Sequence, residues 1–284
     1  MKPKKILKKT LLILFILILN FSCKNEPNKI STAINNNTIV TKDTLPLNIE
    51  SIEEKEIIKP EIDSTKKYIY LTFDDGPYKG SKQINQIVKD ENIKVTAFIV
   101  GLNAYTENLK QLIEDYKNND LVELTNHTYS HANRNKFKQY YSNPNSLLED
   151  VQKNETFYNL SNKYVRLPGR NTWRMGVLSK NDADKASRIA SDLLADNNYY
   201  IMGWDYEWNK INKNHPLTDP EIIYNGINYR LNNNKTMKKN HLVLLMHDDM
   251  FDKDTDAEKL RELIKKLKNN PDIIFEFASN YPLE

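Results

Sequence analysis

From Lys67 onward, short apolar runs recur along the chain, and between most of them apolar residues return at helical spacing. The runs are YIYLTF, VTAFIV, LVELT, YVR, YYIMGW, HLVLLM and DIIFEF. Among them lie INQIVKD, NLKQLIEDYKN, SLLEDVQKNETFYNL, ASRIASDLLADN, EIIYNGINYRL and AEKLRELIKKLKN, whose apolar positions repeat every three or four residues. Strands that are largely apolar, alternating with amphipathic helices, belong in a parallel sheet covered by those helices. About seven such units predict an α/β fold, a deformed (β/α) barrel of about seven strands, closed or nearly closed. YVR is the shortest of the expected strands. Such a barrel places functional side chains just past the C-terminal ends of its strands. Asp74 and Asp75 follow YIYLTF, His127 follows LVELTN, Arg166 ends YVR, Asp205 follows YYIMGW, and His247 follows HLVLLM.

The chain has 284 residues, and its start does not share this pattern. Lys2, Lys4, Lys5, Lys8 and Lys9 precede an unbroken apolar run from Leu11 to Leu19. That run is far shorter than the ~20 residues a spanning helix needs, so it reads as a secretory signal. The chain's single cysteine, Cys23, stands at the expected cleavage point. This resembles a bacterial lipoprotein signal, with Asn20 three residues before the cysteine where such signals usually carry Leu. The expectation is a signal over residues 1–22, a lipid on Cys23, a flexible tether over 23–66 and the folded domain over 67–284. STAINNNT and IEEKEIIKPEID in the tether show no sustained periodicity. The expected location is extracytoplasmic, anchored to a membrane, and one cysteine leaves no internal disulfide. Without the five signal lysines the formal charge falls from +3 to −2, so a nucleic-acid partner is not expected. A monomer is expected.

Two adjacent aspartates at a strand end need a reason, because their charges repel and Asp is a poor strand residue. Asp-Gly and Gly-Pro in TFDDGP are ordinary turn dipeptides, which offers one reason. NHTYSH adds His127 and His131 at i, i+4, a spacing that puts two imidazoles on one face of a helical turn.

TFDDGP, TAFIVG, HTYSH, RLP and VLLMH occur in the order and approximate spacing of the polysaccharide deacetylases with a NodB-homology domain, carbohydrate esterase family 4. The likeness runs over nearly all of 67–284. It implies a metal-dependent hydrolase that removes N-acetyl groups from N-acetylglucosamine units of an acetylated polysaccharide. Asp75, His127 and His131 would hold a divalent ion, and one carboxylate with two imidazoles suits Zn2+ first, with Co2+, Ni2+ or Mn2+ as further candidates. Asp74 would be the general base, oriented by Arg166, and His247 the general acid. In RLPGR, Gly169 stands where the family usually has an aromatic whose backbone N–H faces the oxyanion. The family tunes its acid with a carboxylate from a motif ending in Asp-Trp. GWDYEW offers Asp205, the favoured residue here, and Glu207, which directly precedes Trp208. Trp204, Trp208, Trp173 and Tyr129 are candidate sugar-stacking walls, while His215 and His241 receive no role; Asp248 and Asp249 resemble a turn, either solvated or supporting the site from behind.

Two other readings share this sequence. The same site would serve an O-acetyl polysaccharide esterase, since an ester is easier to cleave. The departures in the third and fourth motifs also suit a catalytically silent glycan-binding lipoprotein. A two-histidine, one-carboxylate set also suits non-haem iron oxygenases, where a base, an arginine and a separate acid would be superfluous.

Overall fold

The computed structural model describes residues 61–209 and 217–284. The expected signal, Cys23, all but the end of the tether, and His215 lie outside the described residues. The first strand, β1 (Lys67–Asp74), is the centre of the domain. Its alternate side chains are buried in opposite directions. Ile69, Leu71 and Phe73 pack with the surrounding helices, while Tyr68 and Tyr70 join a second cluster with Phe98, Trp173, Val243 and Tyr281. Burial on both faces is the physical origin of the unbroken apolar run.

On one side β1 pairs in parallel with β2 (Val95–Ile99), which pairs with β3 (Val122–Asn126) and then β4 (Tyr164–Val165). On the other it pairs with β9 (His241–His247), which pairs with β8 (Tyr206–Glu207). The base of β1 also pairs with β10 (Ile273–Phe275). β4 continues to β7 (Tyr200–Ile201), and β7 to an antiparallel hairpin of β5 (Trp173–Met175) and β6 (Leu178–Lys180). The full path is β6-β5-β7-β4-β3-β2-β1-β9-β8.

The expected helices form. They are α1 (Gly80–Glu91), α2 (Glu107–Lys117), α5 (Pro144–Tyr158), α6 (Lys185–Asp196), α7 (Pro220–Asn232) and α8 (Asp254–Lys268). In α8, Ala257, Leu260, Leu263, Ile264 and Leu267 face inward, and Lys265, Lys266 and Lys268 sit in the last turn, where the helix dipole favours cations. Two short elements, α3 (His131–Asn135) and α4 (Phe137–Tyr141), lie between β3 and α5. No helix among the described residues is long and apolar enough to cross a membrane.

Two expectations need correction. The run YYIMGW is not one strand. Its start forms β7, two strands in from the β6 end of the sheet, and the chain then crosses at Met202–Asp205 to form β8 at the other end. Between those ends there is no ladder among the described residues, so the barrel is open along one seam. Side chains bridge the seam instead. Asn171 accepts the Trp204 N–H at 3.0 Å and donates to the Trp204 carbonyl at 2.9 Å, which satisfies backbone that a ladder would otherwise serve. The β5–β6 hairpin was also unforeseen; it turns at Gly176 (φ 58) and is too short to show a period.

Candidate active site

The parallel ladders align strand ends, so side chains distant in sequence meet at one end of the sheet. Asp74, the last residue of β1, is the ladder partner of His247 on β9 and of Phe98 on β2. Asn126, the last of β3, is the partner of Val165 on β4, which places His127 and Arg166 beside one another. The His127 N–H bonds the Ile99 carbonyl and the Arg166 N–H bonds the Asn126 carbonyl, so both residues are held by sheet backbone just past the strand ends.

Asp74 and Asp75 share a peptide bond and both approach His127 Nε2, at 3.7 Å and 3.3 Å, but Arg166 holds the first and His131 the second. Asp75 takes a left-handed conformation (φ 72), one that Asp tolerates better than most residues. The turn suggested by the dipeptides is therefore real.

Asp74 is buried. Its Oδ1 accepts from Arg166 NH1 at 2.8 Å. The Arg166 guanidinium is itself fully buried and donates to Thr72 Oγ1 (2.7 Å), the Met202 carbonyl (3.1 Å) and the Gly203 carbonyl (3.0 Å). Its face lies 4.2 Å from the Phe98 ring centroid. Burial pulls its pKa down, and the Asp74 charge opposes that shift. Thus the arginine that orients Asp74 also ties together the chain crossing the open seam.

Asp75 faces the two histidines. Its Oδ1 is 3.3 Å from His127 Nε2 and 3.0 Å from His131 Nε2. His127 Nδ1 lies 2.8 Å from the Arg166 carbonyl, which can only accept, so Nδ1 carries the hydrogen of that bond. Nε2 is then the atom turned towards the Asp75 carboxylate. Three such atoms so close together call for a positive charge among them, a proton or a divalent ion. Consistently, Asp75 Oδ1 is buried without a hydrogen-bond partner. Burial alone would push the Asp75 carboxyl up, but the two imidazoles hold it well below the usual carboxylate range. The three ligand atoms lie within 4.8 Å of one another, and the donor set fits a borderline divalent ion. With a backbone carbonyl behind His127, the ring is oriented as metal-bound imidazoles usually are.

Side chains around the site hold this arrangement, and of them only Asp248 was named from the sequence, with a supporting position as one of its two readings. Asn103 donates to the Asp75 carbonyl at 2.6 Å. Asn154, on α5, donates to the Ile99 carbonyl and to Asn126 Oδ1, bracing the segment before His127. Asp150 accepts from the Ser130 hydroxyl (2.8 Å) and the Tyr140 hydroxyl (2.9 Å), bracing the segment before His131. Asp248 is buried against Gly76 and accepts from the Ser81 and Tyr116 hydroxyls; a Cβ at Gly76 would lie 2.6 Å from its Oδ2. Asparagines and aspartates that support a loop look like any loop residue in sequence. Only the fold shows what they hold.

Not every expected residue joins the cluster. Asp205 does not act on His247. Its carboxylate accepts the Met237 N–H (2.6 Å) and the Val243 N–H (2.8 Å), at the level of Val243, roughly 13 Å short of His247 along β9. Burial pushes its pKa up to about 6 against those two amides. Glu207 pairs with Leu245, closer to the site, and its charge acts on Arg166. Trp208 is wholly buried, donates to the Thr218 carbonyl and packs edge-on against Phe251. Trp173 is likewise buried in the sheet interior. Tyr129 turns towards α5, against Phe157 and under the Lys153 ammonium. Trp173 and Trp208 are therefore core, while Tyr129 is half-exposed against exposed side chains of α5. Trp204 lines a separate cleft of about 580 Å³ at the seam, with Asn171, Glu207 and Arg230.

Gly169 lies in the left-handed region (φ 64), and a Cβ there would sit 3.2 Å from the Phe137 ring. Phe137 also meets His131 edge-on at 6.2 Å, so an aromatic wall stands beside Gly169 although the residue itself has none. The Tyr141 hydroxyl donates to the preceding Pro168 carbonyl at 2.7 Å and fixes that turn.

The polysaccharide deacetylase family profile matches residues 61–182. A chitin disaccharide deacetylase of Vibrio alginolyticus is 26% identical over 209 residues, 51% of this chain and 48% of that protein. The chain thus spans about half the length of this curated relative. Among solved structures, the catalytic domain of a peptidoglycan N-acetylglucosamine deacetylase from Eubacterium rectale superposes with a TM-score of 0.57 at 19% identity, over 78% of this chain and 93% of that one. A CE4 esterase from Streptococcus mutans gives 0.54 at 19%, over 74% and 86%. At such identities these two support the fold, a deformed α/β barrel.

Proposed function

We propose that this chain, of which residues 61–182 match the polysaccharide deacetylase profile, is a metal-dependent hydrolase of N-acetyl groups on N-acetylglucosamine units of an extracytoplasmic polysaccharide. The observation that carries this reading is the pairing of two devices at one strand end. Asp75 and two imidazoles bring three ligand atoms within 4.8 Å of one another, and beside them Asp74 is locked by Arg166 and opposite His247 in the β1–β9 register. A divalent ion held by Asp75, His127 and His131, Zn2+ first among the candidates, would polarise an acetyl carbonyl and lower the pKa of water toward ~7.

The residues then divide the work. Asp74 takes the proton of the attacking water, its direction fixed by the Arg166 guanidinium. Water oxygen adds to the carbonyl carbon, and the Gly169 N–H is the donor available to the resulting oxyanion. His247 gives a proton to the nitrogen as the C–N bond breaks, releasing acetate and a free amine. Glu207 is the better placed carboxylate to tune His247.

The test is acetate release from chitooligosaccharides, peptidoglycan fragments and acetylated xylan. Asp74→Asn keeps the shape but cannot accept the proton, so kcat should fall about 10²–10⁴-fold with the fold intact. Preference for acetylated xylan would favour the O-acetyl esterase, and binding without acetate from any substrate would favour the silent glycan-binding protein.

A further inference from the structure

The metal-ligand trio opens on one side into a cleft of about 470 Å³ whose lining includes Asp75, His131, Tyr78, Tyr105, Arg134 and Asn135. Two of these side chains are unusual. Tyr105 is 76% exposed, an aromatic ring left in water at the mouth of the cleft. Arg134 is the only lysine or arginine lining it, it is exposed, and its guanidinium has no partner among the described residues. The backbone that presents Arg134 is strained. His131 through Asn135 all have positive φ, from 48 to 67, without a glycine among them. A left-handed turn of ordinary residues is costly, and such strain persists where the surroundings or a function require it. This turn puts His131 and Arg134, three apart, on the same face towards the cleft.

We propose that this cleft is a subsite for a sugar that carries a carboxylate, its ring laid on Tyr105 and its carboxylate held by Arg134. The proposal rests on the deacetylase reading for its geometry and deepens it: the polysaccharide is acidic, and an acidic sugar neighbours the one that loses its acetyl group. A neutral sugar would need only amide and hydroxyl partners, whereas a planar guanidinium with free donors matches a carboxylate in two parallel hydrogen bonds. The Asp75 charge does not compete for Arg134, since it faces the two histidines. Tyr105 supplies a flat apolar face at little entropic cost.

The test compares one carboxylated, N-acetylated oligosaccharide with the same oligosaccharide after its carboxylates have been amidated, with binding and acetate release measured separately on the full chain. Binding should weaken about tenfold on amidation, as expected for loss of one charge-assisted pair. Arg134→Gln should erase the difference between the two forms, and Arg134→Lys should retain part of it. Tyr105→Ala should weaken both forms alike. Equal binding of the two forms by the unmodified protein, or an unchanged preference in Arg134→Gln, would overturn the proposal. If the carboxylate preference in binding holds while no substrate releases acetate, the subsite stands and the deacetylase reading falls.

Discussion

The φ of 72 at Asp75 is the smallest feature on which the site depends, because it sends two neighbouring carboxylates to different tasks. Extended backbone would send the two side chains to opposite faces of β1, whereas here both reach His127. Residue identity alone is a weaker guide for aromatics, as Trp208 shows. It was expected as a sugar wall, but the fold buries it entirely. Trp208→Ala should therefore lower unfolding stability by about 3–5 kcal/mol, as cavity-forming core truncations do, and leave KM of the surviving folded protein near its original value. Denaturant unfolding and substrate titration of the same sample separate these effects. A large rise in KM with unchanged stability would return Trp208 to the cleft.

At the scale of elements, the β1–β9 pairing carries both the candidate chemistry and a pH-sensitive contact. Asp74 and His247 face each other at its C-terminal end. At its other end His241 is buried, stacks on Tyr68 at 4.9 Å and sits 2.9 Å from the Tyr70 hydroxyl through Nδ1. Burial, with Lys238 nearby, lowers its pKa to about 4. An unfolded histidine takes up a proton near pH 6.5. Between those two values the unfolded chain binds a proton that the native chain refuses. Stability from this contact is complete above about pH 6.5 and is lost as pH falls towards 4, with a slope of at most about 1.4 kcal/mol per unit. Thermal unfolding across this window should show that slope in the parent and not in His241→Gln. Equal slopes in the two proteins would count against it. The pairing itself was legible because β1 and β9 are long and apolar throughout. The strands around the seam were less so. YYIMGW has the composition of one strand, and nothing local reveals that Asn171 and Arg166 divert Met202–Asp205 across the opening.

For the molecule as a whole, the order of motifs predicted one site at one end of a barrel, and Asp74, Asp75, His127, His131 and Arg166 do converge there. What sequence could not supply is the bracing by Asn103, Asn154 and Asp150, which depends on contacts between separate elements. Nor could it distinguish closure from an open seam, a matter of which strand ends meet. The N-terminal segment carries its own proposal, a lipid-anchored extracytoplasmic protein. Expressed in a bacterial host, the chain should fractionate with membranes and Cys23→Ser should not; equal partitioning of both would count against the anchor. The central claim is that one divalent ion at Asp75, His127 and His131 is required for acetate release. The most direct measurement is to strip the protein with chelator and then titrate Zn2+ back while following acetate from N-acetylglucosamine oligomers. Release should vanish and return in proportion to ion bound, complete at one equivalent. Undiminished release from the stripped protein would contradict it.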